Sequence, residues 1–483
     1  MSVPVLSVQQ MREWEHATWS TGQPEAKVIA RVGKIVAKLA IQLSSSADTI
    51  LVLAGKGHNG DDARAALPHL REREIIALDV FNPTIALKEF STSCAVRKPK
   101  LILDGLFGIG LSRPLNEEWQ KLIAAINDSK NPVFAIDTPS GLDADTGEVR
   151  SAAVQATVTL TIGAAKRGLL APAAIPFVGR LEVADDVGFS PCPFSSKLNW
   201  TTADDFEDLP PRREIATHKG TYGHVAIFAG SLGFHGAAVL SARGALRAQP
   251  GLVTVFTPAN VYVPVASQLQ AAMVHPWQSA SEFLESCSAI LMGPGLAARD
   301  LPHNLKRELL QVWAESALPV IADASALDWL PAGGDFQKTI RIITPHPGEA
   351  ARMLSISTEA VQADRCAALR KLSARYGNCF VVLKGHQTLV GRSEGEVFVN
   401  SSGNPFLAQG GSGDVLAGYI SGLIAQPNLQ TETLKMIRYA VWQHGLAADY
   451  LCDAKPNWTM ADLLEVLGGN VPTTDGHNLA WEP

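Results

Sequence analysis

Short, nearly continuous apolar runs recur along most of the chain between longer stretches of helical periodicity, and this alternation restricts the fold more than any other feature. In the first half the runs are Thr49–Ala54, Lys100–Asp104, Val133–Asp137 and Thr157–Ile162. Runs without a polar alternate read as strands of a parallel sheet covered on both faces. A second series follows: His224–Ala229, Leu252–Phe256, Ala289–Met292, Pro319–Asp323, Arg341–Thr344 and Phe380–Lys384, then a hairpin-like pair, Gln387–Gly391 and Glu396–Asn400. Between them, about Gly188 to Lys219, the pattern weakens. Pro191, Pro193, Pro210 and Pro211 flank an acidic cluster of Asp204, Asp205, Glu207 and Asp208, which reads as a linker. The chain is therefore expected to hold two α/β domains, with ligands gathered at the C-terminal strand ends.

Bulk properties exclude several classes. A net charge of −6 lacks the basic field of a nucleic-acid binder. With 46% hydrophobic and 18% charged residues the chain reads as an ordinary globular protein. No stretch approaches the ~20 apolar residues of a membrane helix, and Met1 to Trp14 lacks a basic segment followed by an apolar run. The six cysteines form no C-x-x-C pair. A cytoplasmic enzyme without membrane or nucleic-acid partners is expected.

The chemistry concentrates at Gly410-Gly411-Ser412-Gly413-Asp414, which runs into apolar residues at helical spacing, Val415, Leu416, Tyr419, Ile420, Leu423 and Ile424. The glycines thus stand at a helix N-terminus, where unpaired amides favour an anion. Asp414 would lie beside that anion, placed to take a proton from an attacking hydroxyl. The same position also suits a first-turn acid with only a capping role. Other glycine-rich turns follow strands: Gly230-Ser231, Gly293-Pro294-Gly295, Thr344-Pro345-His346-Pro347-Gly348-Glu349 and Lys384-Gly385-His386-Gln387-Thr388. Singly, each is explained by strand–turn–helix geometry.

In order, these motifs resemble the NAD(P)H-hydrate dehydratases of the ribokinase-like superfamily, over about Lys219 to Leu467. The resemblance implies that Asp414 is the catalytic carboxylate. Gly410, Gly411, Ser412 and Gly413, with Lys384, Gly385, His386, Gln387 and Thr388, would line the nucleotide. Ala238, Gly295 and His346 would contact the hydrated dinucleotide. It further implies a Mg2+-bound ADP, or ATP, as phosphoryl donor. The chain departs from the family at Ser325, Gln409 and Gln249-Pro250.

In the first half, Gly55-Lys56-Gly57-His58-Asn59-Gly60-Asp61-Asp62 follows one strand, Asp104-Gly105-Leu106-Phe107-Gly108 another, and Asp137-Thr138-Pro139-Ser140 a third. Asn59, Asp104, Asp137 and Ser140 offer oxygens for a hard cation, although each acid alone also fits a cap or turn. Together the turns resemble the NAD(P)H-hydrate epimerase domain, over roughly Val8 to Val187. That implies a potassium site from Asn59, Asp104 and Ser140. It also implies substrate contacts from His58, Asn59, Gly60, Asp61 and Asp62 and from Gly108, Ile109, Gly110, Leu111, Ser112, Arg113 and Pro114. Asp137 would be the general base.

Here the departures are His58 for an asparagine, Asp61 for a glycine and Ala30 for a glutamate. A glycine with positive φ replaced by Asp61 would be strained, so a weakened epimerase beside an intact dehydratase is expected. The two resemblances imply a Rossmann-like three-layer α/β/α domain over 1–205 and a ribokinase-like α/β domain over 206–483. Hydrated NADH or NADPH would be the substrate and a homo-oligomer the assembly. A small-molecule kinase sharing the anion turn, or a nucleotide sensor without turnover, are the competing readings.

Overall fold

A computed structural model describes residues 2–469 apart from 112, 279–283, 300, 337 and 456, so the expected contact at Ser112 lies outside the described residues. The chain divides into two compact units between Trp200 and Thr201.

In the first unit, β1 (Thr49–Ala54), β2 (Glu74–Asp79), β3 (Leu101–Gly105), β4 (Val133–Ile136), β5 (Val158–Ile162) and β6 (Arg180–Ala184) form a parallel six-stranded sheet. Its order is β2-β1-β3-β4-β5-β6. Successive side chains leave opposite faces. Ile50, Val52 and Ala54 pack with Val28, Val32 and Val36 of α1 (Glu25–Gln42) and Ala63 of α2 (His58–Ala66). Leu51 and Leu53 pack with Phe90 of α3 (Pro83–Arg97) and Leu122, Ile123 and Ile126 of α4 (Glu117–Asp128). Both faces of β1 are dry, which is why it carries no polar alternate; each such Leu or Ile buried contributes roughly 1.5–3 kcal/mol.

In the second unit the strands are β7 (His224–Phe228), β8 (Leu252–Thr257), β9 (Met273–Pro276), β10 (Ala289–Met292), β11 (Val320–Ala322), β12 (Arg341–Ile343), β13 (Phe380–Leu383), β14 (Leu389–Gly391) and β15 (Val397–Val399). They run in the order β15-β14-β13-β12-β11-β10-β7-β8-β9. Pairing is parallel from β9 to β13, and the hairpin β13-β14-β15 is antiparallel. Thus both units are α/β with parallel sheets, as the apolar runs predict.

Of these fifteen strands three escape that pattern: β2, β6 and β9. All lie at sheet edges, and each keeps partly exposed positions, as Glu74 and Asp79 in β2 and Met273 in β9 do. An edge strand needs no continuous apolar run.

The acidic stretch expected as linker is anchored instead. Phe206 is buried in the second unit's core, Asp205 pairs with Arg438, and Asp208 with Lys435 at 2.7 Å. Only the residues from Pro210 to Ala216 are continuously exposed.

The helix carrying the glycine turn, α8 after α5 (His235–Arg247), α6 (Pro347–Leu354) and α7 (Arg365–Arg375), spans Ser412–Ile424. It presses backbone to backbone on α5. A Cβ on Gly418 would stand 2.0 Å from the Ser241 carbonyl oxygen, and one on Gly244 2.3 Å from that of Val415. Those glycines allow the contact, and they fix the N-terminus of α8 to a rigid partner.

Candidate active sites

Gly411 has φ +95°, the left-handed conformation at the N-cap of α8 that glycine adopts without strain. The turn stands at the helix N-terminus, with the Ser412 amide donating to the Gln409 carbonyl at 3.3 Å and Asp414 in the first turn. Asp414 is half-buried. Burial first, then the Asp323 carboxylate, outweigh Lys384 and push its pKa up to about 7.

Lys384, at the end of β13, links the parts. Its Nζ lies 2.9 Å from Asp323 Oδ1 and 3.9 Å from Glu349 Oε2, and 3.3 Å from where a Cβ on Gly413 would stand. Burial alone would lower the lysine's pKa, but Asp323 and Glu349 hold it above the ordinary value. Thr344 donates its hydroxyl to Asp323 Oδ1 at 2.6 Å. One ammonium thus serves two buried acids beside the anion turn, within reach of a third.

Around it, His346 caps α6: its Nδ1 accepts the amides of Gly348 (3.0 Å) and Glu349 (3.4 Å), while its own amide donates to Glu349 Oε2 at 2.8 Å. The ring remains half exposed. In the Lys384–Thr388 turn, Gly385 and Gln387 have positive φ, +127° and +52°, and Thr388 donates to the Gly385 carbonyl. Arg365, at the start of α7, holds this turn by the carbonyls of Leu383 (3.0 Å), Lys384 (3.2 Å), Gln387 (3.5 Å) and His386. Gly295 has φ +66° and its carbonyl accepts the Ser231 hydroxyl at 2.5 Å. Ala238 differs: it is fully buried in the core, so its methyl has no surface to offer a ligand. Below the turn, His444 of α9 (Thr433–Ala454) is buried. Burial above all holds its pKa down at about 4, against a hydrogen bond to the Ser412 backbone.

In the first unit, Asp104 is wholly buried at the end of β3. Its Oδ2 accepts the Ser140 amide at 2.8 Å, and its Oδ1 the Ser140 hydroxyl at 2.6 Å and the Leu106 amide at 3.2 Å. Burial nonetheless raises its pKa to about 6. Asn59, in the first turn of α2, is buried with neither amide atom bonded.

Asp137, after β4, has φ +63°. Its Oδ1 lies 2.6 Å from Lys166 Nζ, and its Oδ2 accepts the Ile109 amide at 3.4 Å. A Cβ on Gly108 would stand 3.1 Å from Asp137 Oδ2 and 3.4 Å from Asn59 Cγ, so Gly108, Asn59 and Asp137 come together. Gly60 cannot be larger, because its Cβ would lie 2.0 Å from the Gly55 carbonyl. Buried Asp62 is pushed well above the carboxylate range by burial, then by Asp137 and Asp61. His58, Gly110, Arg113 and Pro114 are exposed, and Ile109 and Leu111 half-buried.

The comparisons with known proteins agree with both halves. The NAD(P)H-hydrate dehydratase family profile matches residues 225–467, and that of the YjeF-related protein N-terminus matches 81–168. The bifunctional NAD(P)H-hydrate repair enzyme Nnr of Coxiella burnetii is 34% identical over 466 residues, covering 91% of this chain and 93% of the relative. The chain belongs to the bifunctional NAD(P)H-hydrate repair enzymes. The Nnr of Escherichia coli is 35% identical over 356 residues, 73% of this chain and 67% of the relative. Among solved structures, a ribokinase-like superfamily protein from Enterococcus faecalis is 26% identical with TM-score 0.50, covering 57% of this chain and 95% of its own.

Against this family the departures are accommodated. Asp61 lies inside α2 with no positive φ and pairs with Arg64 at 3.0 Å, so the strain expected there is absent. His58 Nδ1 meets Glu25 at 2.9 Å. Gln409 donates to the Phe406 carbonyl at 2.8 Å. Gln249 is the exception: it takes φ +57°, a left-handed backbone that costs a non-glycine residue energy.

Sequence reading missed Asp323, Arg365, His444 and Lys166 as site residues. Two left a usable signal: Asp323 ends the apolar run from Pro319, and Lys166 follows the small residues Gly163-Ala164-Ala165 after β5.

Proposed function

We propose that the second unit phosphorylates the 6-hydroxyl of S-hydrated NADH or NADPH and expels the phosphate, restoring the reduced cofactor. The observation that carries this reading is the Gly410–Gly413 turn at the N-terminus of buried α8, with Asp414 in its first turn and Lys384 against Gly413. Amides of the turn receive the donor's terminal phosphoryl group and stabilise it in flight. Asp414 takes the hydroxyl proton as the C6 oxygen attacks phosphorus. Phosphate then leaves with the C6–O bonding pair while the ring nitrogen donates its lone pair. Loss of a C5 proton restores the C5–C6 double bond. Lys384, held by Asp323 and Glu349, adds positive charge where phosphate charge develops.

The donor is read as ADP in preference to ATP. Mg2+ is read as arriving on the nucleotide, because among the described residues no group of three or more His, Cys, Asp or Glu side chains is arranged to hold a metal.

In the first unit, Asp137 is read as the base that takes the proton of the 6-hydroxyl. C6 bears both that oxygen and the ring nitrogen, so its configuration is lost when the C6–N bond opens and re-forms. The nitrogen gains a proton on opening and returns it on closing. K+ would be held by Asn59, Asp104 and Ser140 and would supply fixed positive charge. The unbonded, buried Asn59 amide oxygen fits that role. Assembly as a homo-oligomer belongs to the same reading, with Val263 and Met273 exposed near the sheet edge.

The test incubates the purified chain with S-hydrated NADH and either ADP or ATP. Recovery of reduced-nicotinamide absorbance with release of phosphate is expected. A phosphorylated hydrate that persists would replace the dehydratase by a kinase, and nucleotide binding without turnover would leave a sensor.

A further inference from the structure

We propose that Lys166 is the positioning residue of the epimerisation site: its buried ammonium fixes Asp137 by one oxygen so that the other alone faces substrate. The inference rests on Asp137 being the base of that site, as argued above.

Lys166 is only 1% exposed, and an uncompensated buried cation costs several kcal/mol. Its Nζ donates to Asp137 Oδ1 at 2.6 Å, to the Ile162 carbonyl at 2.7 Å and to Thr161 Oγ1 at 2.9 Å. An ammonium has three donors, so all are engaged and none remains for a ligand. Lys166 therefore acts through Asp137.

The two carboxylate oxygens are treated differently. Oδ1 also faces the Thr161 hydroxyl at 3.4 Å and the Ile162 amide at 3.3 Å. Among the described residues Oδ2 has only the long Ile109 amide contact and looks toward Gly108 and Asn59, where a Cβ on residue 108 would crowd it at 3.1 Å. The backbone at Asp137 is left-handed, φ +63°, a conformation that costs a non-glycine residue energy unless its surroundings impose it. The Thr138 amide, donating to the Ile136 carbonyl at 2.7 Å, closes the turn around Asp137, and Lys166 and Thr161, on or just after β5, hold the carboxylate that it presents. The outcome is one carboxylate oxygen tied down and one directed at the open side of the sheet, the orientation a proton acceptor needs.

The test uses the full chain with Lys166→Met, Asp137→Asn and the double variant. R-hydrated NADH is supplied without nucleotide, so the dehydratase is silent, and S hydrate is measured by chromatography. Limited proteolysis and thermal unfolding of the first unit report its folding in the same preparation, because dehydration belongs to the other unit.

Lys166→Met is expected to lower kcat of epimerisation about 100-fold, the scale of a misplaced catalytic group, with KM nearly unchanged. In the Asp137→Asn background it should cost nothing further, since it acts only through that carboxylate. A purely structural lysine would instead give additive losses.

If Lys166→Met does not fold, Lys166→Arg keeps the charge but misplaces the donors. It should lower kcat about tenfold with KM kept. Unchanged kcat in whichever single variant folds, additive losses in the double variant, or a rise in KM alone would overturn the proposal. Full epimerase activity in Asp137→Asn would instead overturn the base assignment beneath it.

Discussion

The two units use the same device, a carboxylate at the C-terminal edge of a parallel sheet, but they charge it in opposite ways. Asp137 is locked to its own lysine: Lys166 spends every donor within the first unit's core. Asp414 has no dedicated cation. The lysine nearest it, Lys384, bonds to Asp323 and leans toward Glu349, and Asp414 is left with a pKa of about 7, raised by burial and then by Asp323. A base that must act on a neutral hemiaminal hydroxyl suits a fixed, permanently compensated site. A base beside a polyanionic phosphoryl donor must share its cation with the ligand. Under the proposed roles both units act on the same hydroxyl, and the difference follows from the anionic phosphoryl donor that the second unit alone would bind.

Several measurements would break or sharpen this contrast. The largest effect should come from Asp414→Asn, with at least a hundredfold loss of dehydration, roughly the scale of a positioned general base, and epimerisation untouched. Asp137→Asn should do the reverse, sparing dehydration of S hydrate while epimerisation falls about a hundredfold. Loss of both activities in either variant would show that the units do not work separately.

Next in size is pH. With Asp414 as the proposed base, kcat/KM of dehydration should climb about tenfold from pH 6 to pH 8, with a midpoint near the Asp414 pKa of about 7. A flat profile across that range would remove Asp414 from the rate equation.

Stability should answer with the opposite sign. The folded pKa of Asp414 lies above its unfolded value of 3.8. Its stabilising contribution is therefore complete below about pH 4 and lost as pH rises through about 7. At pH 8, Asp414→Asn should be more stable than the parent by up to about 4 kcal/mol, about 1.4 for each pH unit between the two pKa values, less what solvent screening removes, and the gap should close by pH 4. Denaturant titration of both proteins at the two pH values reads this directly.

The smallest effect is expected at the first unit's departures. Because Asp61 is helical and paired with Arg64 at 3.0 Å near the surface, Asp61→Gly should change epimerisation by no more than about threefold. A larger rise would restore the expectation that this turn is weakened.

What was legible in the sequence follows from how much each feature depends on neighbours in the chain. Central strands such as Thr49–Ala54 were readable because both faces are dry. The edge strands Glu74–Asp79 and Met273–Pro276 were not, because a half-exposed strand is indistinguishable from loop by composition. The Gly410–Asp414 turn was readable because glycines and a helical apolar stripe adjoin in sequence. The ion pairs were not: Lys166 meets Asp137 across 29 residues, and Lys384, itself named from the sequence, meets Asp323 across 61, pairings that only the sheet order creates. Ala238, carried over by resemblance, has its side chain in the core, which no sequence spacing reveals.

The most direct test of the account is a crystal structure of the chain with Mg2+ and a non-hydrolysable nucleotide. The terminal phosphate should lie against the amides of Gly411 to Gly413, with the Asp414 carboxylate facing it across a gap wide enough for one hydroxyl. A phosphate seated elsewhere on the sheet edge, or Asp414 turned toward the core, would contradict it.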